Sequence, residues 1–395
     1  MAPASKRSTK TKMTSLIRSL TDRLTPTVSS VDLKPRPDGF QTAKGPDALF
    51  PRTKPEIDGE ECLHDCETCS VHLPRGFKID EDDKLYGHIN GFSRHLIVAT
   101  GKTDWVRDVA DEKGSVMEAI GAHDKEVEEG GKLMLSASNM DLPDHNSGPY
   151  GEDRPTTVLL MPAFQFVDNV TPKHVPELIR GVINKASTNT SPLRSRTAMS
   201  NGTTAPRNST ATSTYHNSPL TLPAGLSFRN CPHKAVILMC SQATRDARCG
   251  QSAPLLRREL ERHLRPLGLY RDLGDERPGG VGVYFISHVG GHKYSANMMV
   301  YRRAESRRTV GEQIQNGVTA DGSAKGAVEG EAAQCIWLAR VRPEDCENIV
   351  RFTVLQGKVV KPDRQLRGGF DRVRGVTLMK QRDGTNGREA LAKAY

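Results

Sequence analysis

The residue types best suited to chemistry in this 395-residue chain are two cysteines and two histidines in its C-terminal half. Cys240 and Cys249 are separated by eight residues, and His288 and His292 by three. Two thiolates and two imidazoles can complete a tetrahedral zinc site, or can ligate the two irons of a 2Fe-2S cluster. Structural zinc usually takes cysteines two to four residues apart, so this wide spacing does not suit a zinc knuckle. Taken singly, each residue is more simply a buried thiol or a surface imidazole.

A second group of thiols lies near the N-terminus, at Cys62, Cys66 and Cys69. Its Cys-x3-Cys-x2-Cys spacing is that of radical-SAM enzymes. That class is excluded because the motif precedes the first apolar strand, and the chain has no room for a (β/α)8 barrel. A zinc or thiol-redox role with His64 or His72 is the alternative to a structural cluster.

The elements that must position these residues occur twice along the chain. Each block has an apolar strand, a polar loop, a helix, a second apolar strand, a closing strand and a proline-started helix. The strands and prolines are 96–100, 133–135, 158–161 and Pro172 in the first block, and 236–240, 283–286, 336–339 and Pro343 in the second. The first helix of the second block follows Pro254 and carries Leu256, Leu260 and Leu264. Such an order predicts a small α/β sandwich used twice.

The two blocks differ at the positions that matter for chemistry. Laying Thr100 on Cys240 places Val109 on Cys249. The stretch 136–140 of the first block has no imidazole, whereas His288 and His292 follow the matching strand of the second. We therefore expect the four residues in loops after strands of the second block, and no equivalent site in the first.

The net charge of +9 does not indicate a nucleic-acid-binding surface. Residues 1–55 hold eleven Lys or Arg and four Asp, so most of the excess lies there and the rest is close to neutral. The first 21 residues are basic, rich in Ser and Thr, and free of acidic residues before Asp22. This composition is typical of a mitochondrial transit peptide, and a disordered basic tail is the alternative.

Composition divides the remaining chain. Fifteen of the 34 residues from Ala186 to Pro219 are Ser or Thr, which predicts a linker. A Gly-, Ala- and Glu-rich stretch at 305–331 predicts an insertion inside a domain. The predicted segments are a tail or transit peptide at 1–56, a first domain at 57–185, a linker at 186–224, a second domain at 225–370 and a C-terminal tail at 371–395. No apolar run approaches the ~18 residues of a membrane-spanning helix.

Several motifs together resemble the fungal sucrase/ferredoxin-like family. They are Cys240-Ser-Gln-Ala-Thr-Arg-Asp-Ala-Arg-Cys249-Gly, His288-Val-Gly-Gly-His292-Lys-Tyr-Ser-Ala-Asn297, Leu366-Arg-Gly-Gly369, Cys62-x3-Cys66-x2-Cys69, Leu85-Tyr-Gly87 and Thr100-Gly-Lys-Thr-Asp-Trp105. The resemblance covers about residues 57–370. It implies a C-terminal thioredoxin-like ferredoxin domain whose 2Fe-2S cluster is held by Cys240, Cys249, His288 and His292.

We therefore expect two thioredoxin-like α/β sandwich domains, of which the first lacks a cofactor. The resemblance implies a one-electron carrier rather than an enzyme, serving an unidentified redox partner in mitochondrial redox homeostasis, with the cytoplasm as the alternative location. Imidazole ligands raise the potential of such a cluster, and their second nitrogens can couple reduction to protonation. A zinc-binding structural protein and a thiol-disulfide redox factor remain alternative functions for the same cysteines.

Overall fold

The computed structural model describes residues 39–127, 131–142, 154–193, 224–303 and 330–379. Twelve strands of these residues form one sheet: β1 Gln41–Thr42, β2 Arg94–Ala99, β3 Leu133–Ser138, β4 Thr156–Met161, β5 Gln165–Val170, β6 Ser227–Asn230, β7 Ala235–Cys240, β8 Val281–Ile286, β9 Met298–Arg303, β10 Ala332–Leu338, β11 Leu366–Asp371 and β12 Val376–Thr377. The α-helices are α1 Pro46–Leu49, α2 Pro55–Asp58, α3 Val116–Ala122, α4 Val175–Leu178, α5 Ala247–Leu264, α6 Cys346–Asn348 and α7 Pro362–Gln365. The fold class is mixed α/β.

The strand order is β1-β12-β11-β10-β9-β7-β8-β3-β2-β4-β5-β6. Within it, β3-β2-β4-β5 and β8-β7-β9-β10 have the same connectivity: the first pair is parallel and the others are antiparallel. The two halves meet where β3 pairs antiparallel with β8, at Ser138 and Ile286. Asn139 reinforces this join, since its Oδ1 accepts a hydrogen bond from the Phe285 N–H at 2.7 Å.

Alternating side chains divide the apolar core into two parts. On β7, Ile237 and Met239 join a cluster that includes the helix residues Leu256, Leu260 and Leu264, whereas Leu238 and Cys240 face the other side of the sheet. A strand buried on both faces needs apolar residues at every position, which explains the unbroken run at 235–240. The predicted leucine stripe of α5 is confirmed, because all three leucines are fully buried.

The sheet folds back on itself, so the inner faces of the halves pack together. His95 on β2 and Tyr301 on β9 lie four strands apart in the order, a span of about 19 Å in a flat sheet. Their Nδ1 and Oη atoms are nevertheless 3.0 Å apart. Phe92 also contacts Trp337, with ring centroids 6.3 Å apart. The described halves thus share an inner core.

Sequence patterns missed one closing strand in each half, in addition to the strands β1, β6, β11 and β12. Each half closes with two antiparallel strands, β4-β5 and β9-β10, where one closing strand was expected. β5 escaped notice because Asp168 and Asn169 interrupt its apolar pattern, and Asn169 adopts a left-handed φ of 65°. β9 ends in two arginines, Arg302 and Arg303, which resemble a loop.

Helix α5 begins seven residues earlier than Pro254 predicted. Asp246 caps it by accepting a hydrogen bond from the Arg248 N–H at 2.9 Å. Pro254 lies inside the helix. The longer helix therefore takes Cys249 into its first turn, and the expectation that Cys249 lies in a loop is wrong.

Several expected segment boundaries differ from the structure. Leu49 and Phe50, expected in the tail, are fully buried, and β1 pairs with β12. Asn189, expected in the linker, is buried and its side-chain amide donates to the Phe92 carbonyl. Met379, expected in the C-terminal tail, is buried as well. Side-chain burial extends the folded unit beyond both predicted ends.

Residues 59–92, here called the strap, pack on the second half, although the sequence assigned them to the first domain. The Cys66 N–H donates to the Glu344 carbonyl at 2.9 Å, and the Gly87 N–H donates to the Arg367 carbonyl at 2.8 Å. Leu85 packs against Tyr294. The strap has few apolar residues in a periodic pattern, so backbone hydrogen bonds to distant residues determine its course.

The expected transit peptide, most of the linker, the insertion and the last residues lie outside the described residues, at 1–38, 194–223, 304–329 and 380–395. Among the described helices, none combines the length and the apolar content needed to cross a bilayer.

Candidate metal centre

Cysteine and histidine side chains from three elements converge at one end of the second half. Cys240 is the last residue of β7, Cys249 lies in the first turn of α5, and His288 follows β8 after one residue. Because β7 and β8 are parallel neighbours, their carboxyl ends lie at the same edge of the sheet. The start of α5 returns to that edge through the short loop after β7.

Three of the four sequence-predicted ligands form a close group. The two Sγ atoms and a ring nitrogen of His288 all lie within 4.8 Å of one another. The Sγ of Cys240 is 3.7 Å from Nδ1 of His288. Both cysteines are buried, while His288 is half-buried.

His292 stands next to this group without joining it. Its ring centroid is 5.6 Å from that of His288, and the residue is exposed at the start of the 3₁₀ turn His292–Tyr294. Partial burial of the ring is the main cause that lowers the pKa of His292, and the nearby His288 adds to the effect. The fourth predicted ligand thus lies at the solvent side of the centre.

Interaction between the two thiols moves their pKa values apart. A hydrogen bond from Cys240 is the main cause that lowers the pKa of Cys249 to about 5, and hydrogen bonds with His288 and Ser295 contribute. The same bond to Cys249 raises the pKa of Cys240 well above its usual range. The first turn of a helix also favours a thiolate there. Cys249 is therefore the thiolate of the pair, and a metal ion bound to both sulfurs would replace the proton on Cys240.

The buried Arg367 fixes the loop between His288 and His292. Gly290 and Gly291 both adopt left-handed conformations, with φ of 80° and 68°. A Cβ on Gly291 would lie 2.5 Å from the Arg367 guanidinium, so no larger residue fits. Arg367 donates to the Gly290 carbonyl at 3.1 Å and to Asn297 Oδ1 at 2.6 Å. Burial lowers the pKa of Arg367 to about 10, so the guanidinium still carries its charge at neutral pH.

The first half supplies support although it holds none of the ligands. Gln242, fully buried after β7, donates through Nε2 to the Val106 carbonyl at 2.6 Å. Its Oε1 accepts the backbone N–H of His288 at 2.8 Å. Asp104 accepts hydrogen bonds from the backbone and the hydroxyl of Thr244. Gln242 therefore links a loop of the first half to a ligand-bearing loop of the second.

Sequence reasoning missed Gln242 and Arg367 as parts of this centre. Both lie inside the family-like motifs, but a polar residue beside a ligand does not reveal its partner. The alignment of residues 101–105 with 241–245 was the available indication, because equivalent loops of two paired repeats can meet near the axis that relates them.

The second predicted thiol group is divided. Cys62 is buried apart from the others, whereas Cys66 lies 3.9 Å from Nε2 of His263. Ligand atoms of Cys66, His263 and Glu347 lie within 4.8 Å of one another. His64 or His72 was the partner considered for a zinc or thiol-redox role of these thiols, as the alternative to a structural cluster, and both histidines are exposed outside this group. The strap instead brings Cys66 to the C-terminal end of α5.

The donor set of the first centre suits iron or zinc. Two sulfurs and imidazole nitrogens without a carboxylate ligand form the set that soft and borderline metals prefer. The sequence profile described as sucrase/ferredoxin-like matches residues 85–368. The chain belongs to this family. The matched part includes all four predicted ligands of the first centre and excludes Cys62, Cys66 and Cys69.

Curated relatives align with shorter parts of the chain. Actin patches distal protein 1 of Saccharomyces cerevisiae is 47% identical over 70 residues, 18% of this chain and 22% of the relative. Altered inheritance of mitochondria protein 32 of Clavispora lusitaniae is 30% identical over 135 residues, 34% of this chain and 36% of the relative. The protein of that name in Debaryomyces hansenii is 28% identical over 128 residues, 32% of this chain and 34% of the relative. These alignments span well under half of each relative, and no solved structure matches significantly.

Proposed function

We propose that this family member is an electron-transfer protein whose 2Fe-2S cluster is held by Cys240, Cys249, His288 and His292. The convergence of two cysteine sulfurs and a histidine nitrogen within 4.8 Å carries the proposal. His292 beside His288 supplies the fourth donor. Such a group, when bound, supplies a one-electron couple of higher potential than an all-cysteine cluster gives.

The fold supports the same proposal. A parallel pair followed by two antiparallel strands, in the order β3-β2-β4-β5 and again β8-β7-β9-β10, is the arrangement expected of two thioredoxin-like domains. We assign the first as the domain without a cofactor and the second as the thioredoxin-like ferredoxin domain.

The chain's own residues have defined roles in this function. The two sulfurs bind from the buried side, where water is excluded, and the histidines bind from the solvent side. Gln242 and Arg367 hold the backbone of the histidine loop. The second nitrogen of each ligating imidazole can carry a proton, so the potential is expected to fall as pH rises.

A redox partner protein then docks at the exposed side of the centre, near His292. The printed names of relatives mention mitochondria, and the basic N-terminal composition agrees with import into that organelle. We therefore propose an electron carrier, rather than an enzyme, in mitochondrial redox homeostasis. The relative named for actin patches keeps the cytoplasm as the alternative location.

A structural zinc site is the second candidate, because three ligand atoms within 4.8 Å also suit a single ion. The full chain purified without oxygen distinguishes the two. Cluster binding predicts about two irons and two sulfides per chain and a paramagnetic-resonance signal after reduction with dithionite. A colourless, silent protein contradicts the cluster, and zinc that is lost in Cys249→Ser supports a zinc site at this centre.

Variants locate the cluster. Cys249→Ser should lose the iron, whereas Cys231→Ser, which alters another buried thiol, should keep it. His288→Cys and His292→Cys should each keep iron and lower the reduction potential, because a thiolate adds negative charge. Equal potentials in wild type and both variants contradict histidine ligation.

A further inference from the structure

The strap brings a second set of metal-binding side chains to the opposite end of α5 from Cys249. His263 is the penultimate residue of α5, and Glu347 lies on α6. The Sγ of Cys66, a ring nitrogen of His263 and a carboxylate oxygen of Glu347 lie within 4.8 Å of one another. Three segments far apart in sequence thus meet at one point.

The distances suit a small tetrahedral ion. Bonds of ~2.3 Å to sulfur and ~2.0 Å to nitrogen, at the tetrahedral angle, place the two donors about 3.6 Å apart. The observed distance from Cys66 Sγ to His263 Nε2 is 3.9 Å. Only a small adjustment separates the two values.

Cys69 supplies a fourth donor. A turn at 67–68 separates the half-buried Cys69 from Cys66, and the Cys66 thiol adds to burial in raising the pKa of Cys69, which indicates that the two sulfurs are close. Cys66-Glu-Thr-Cys69 has two residues between its cysteines, which is the spacing of structural zinc knuckles. The spacing that argued against a knuckle at Cys240 and Cys249 thus argues for one here.

A cation already approaches the two best donors. The Arg262 guanidinium donates to Cys66 Sγ at 3.3 Å and lies 3.0 Å from His263 Nε2. Lone pairs of both atoms are therefore directed toward a common point that accepts positive charge. Glu259 holds the guanidinium from the other side, with its Oε2 2.8 Å from Arg262 Nε. A metal ion between sulfur and nitrogen would displace Arg262 Nη2 from that point, and Glu259 offers the displaced guanidinium a carboxylate partner.

We propose that Cys66, Cys69, His263 and Glu347 form a zinc site that ties the strap to α5 and α6. The site is separate from the centre at Cys240 and Cys249 and does not depend on the function proposed for it. Four protein ligands leave no open position for water or substrate, so the role of zinc here is structural. By joining segments nearly 200 residues apart, the ion restricts the unfolded chain and stabilises the fold. The His263 and Glu347 donors favour an ion over a disulfide, because a disulfide needs neither.

Metal analysis of the full-length protein tests the site. Protein expressed with added zinc should retain about one zinc per chain after dialysis, in addition to any iron. Cys66→Ser and His263→Gln should each lose that zinc. His64→Gln, which changes an exposed histidine of the same strap, is the matched control and should keep it. Cys249→Ser should also keep the zinc while losing iron, which separates this site from the first.

Cobalt provides a spectroscopic measurement in protein that keeps all four proposed ligands. Adding Co²⁺ to chelator-treated Cys249→Ser protein, whose first centre lacks one sulfur ligand, and to wild type should give in each the intense visible absorption of tetrahedral cobalt and a sulfur-to-metal band. Zinc addition should abolish both. Wild type that binds neither ion overturns the proposal, as does zinc retained by both ligand variants. A Cys66–Cys69 disulfide in unreduced peptides of the isolated protein overturns it as well.

Discussion

At the ends of the equivalent strands β2 and β7, the two halves of the sheet hold different chemistry. After β2, the Thr100 hydroxyl accepts a hydrogen bond from Trp105 Nε1 at 2.9 Å, and the indole is only 4% exposed. At the end of β7, Cys240 meets Cys249 and His288. In the first half the large indole of Trp105 occupies this position. In the second half the smaller side chains of Cys240, Cys249 and His288 occupy it.

The difference shows a division of labour between paired repeats. The first half provides none of the candidate ligands. Its Asp104 side chain and its Val106 carbonyl accept hydrogen bonds from the loop that carries Gln242. Its Asn139 secures the join between β3 and β8. The first half thus acts as a fixed support for a binding site that it does not contain.

The largest expected effect comes from emptying the filled position. Trp105→Ala should lower the free energy of unfolding by about 3–5 kcal/mol, because it removes a buried indole and its hydrogen bond. Arg245, which sequence alignment matches to Trp105, is only half-buried. Arg245→Ala should change the free energy of unfolding by no more than about 0.5 kcal/mol. Urea unfolding of both variants measures this contrast, and similar losses would show that the two loops are packed alike.

Acid should weaken the first half through His95. Its neutral ring is buried between Tyr301 and Ser136, and burial lowers its pKa to about 3. The folded state therefore favours the uncharged ring, and this contribution is complete above the unfolded pKa of about 6.5. As pH falls from about 6.5 toward 3, the free energy of unfolding should decrease by up to about 1.4 kcal/mol per pH unit.

The control for this prediction is His95→Gln, which cannot take up the proton. Unfolding free energies measured between pH 7 and pH 4 should fall less steeply in the variant than in wild type. Ala235 is the residue of β7 that the sequence alignment matches to His95, and neither it nor its neighbour Val236 can take up a proton, so the second half has no titrating group there. Parallel pH profiles would contradict the assignment of acid sensitivity to His95.

A smaller effect should follow from cutting the link between the halves. Gln242→Met keeps the volume but removes the hydrogen bonds to Val106 and to the His288 N–H. Leaving those buried backbone groups without their partner should cost about 1–2 kcal/mol. Hydrogen exchange should also speed up at the His288 amide and not at Val283, inside β8. Unchanged exchange at His288 would mean that the first half does not hold the ligand loop.

Much of the fold was predictable because burial on both faces leaves an unbroken apolar run. The runs at β2, β3, β7 and β8 and the leucine stripe of α5 predicted their elements. The loops after the strands and the family resemblance led us to expect Cys240 near His288. The structure supplies the reason, since β7 and β8 are parallel neighbours whose carboxyl ends lie at one edge. Cys335 and Cys346 lie among apolar neighbours in the sequence, a pattern typical of core thiols, and both are fully buried.

Other features left no periodic pattern to read. The strap is held by backbone hydrogen bonds to residues such as Glu344 and Arg367, and no local preference encodes them. His263 is separated from Cys66 by 197 residues, so their meeting depends on the tertiary fold alone. The start of α5 was missed because proline is more common in the first turn of a helix than inside one, whereas Pro254 lies inside α5.

The position of the strap has a consequence for synthesis on the ribosome. His88 emerges early, but its partner Arg367 is added 279 residues later. At about 5–20 residues per second, that interval is roughly 15–55 s. During that time the strap has been synthesised, but the part of the second half on which it packs has not. The nascent chain therefore cannot mature one repeat at a time, and the first half completes its surroundings only after translation of the second.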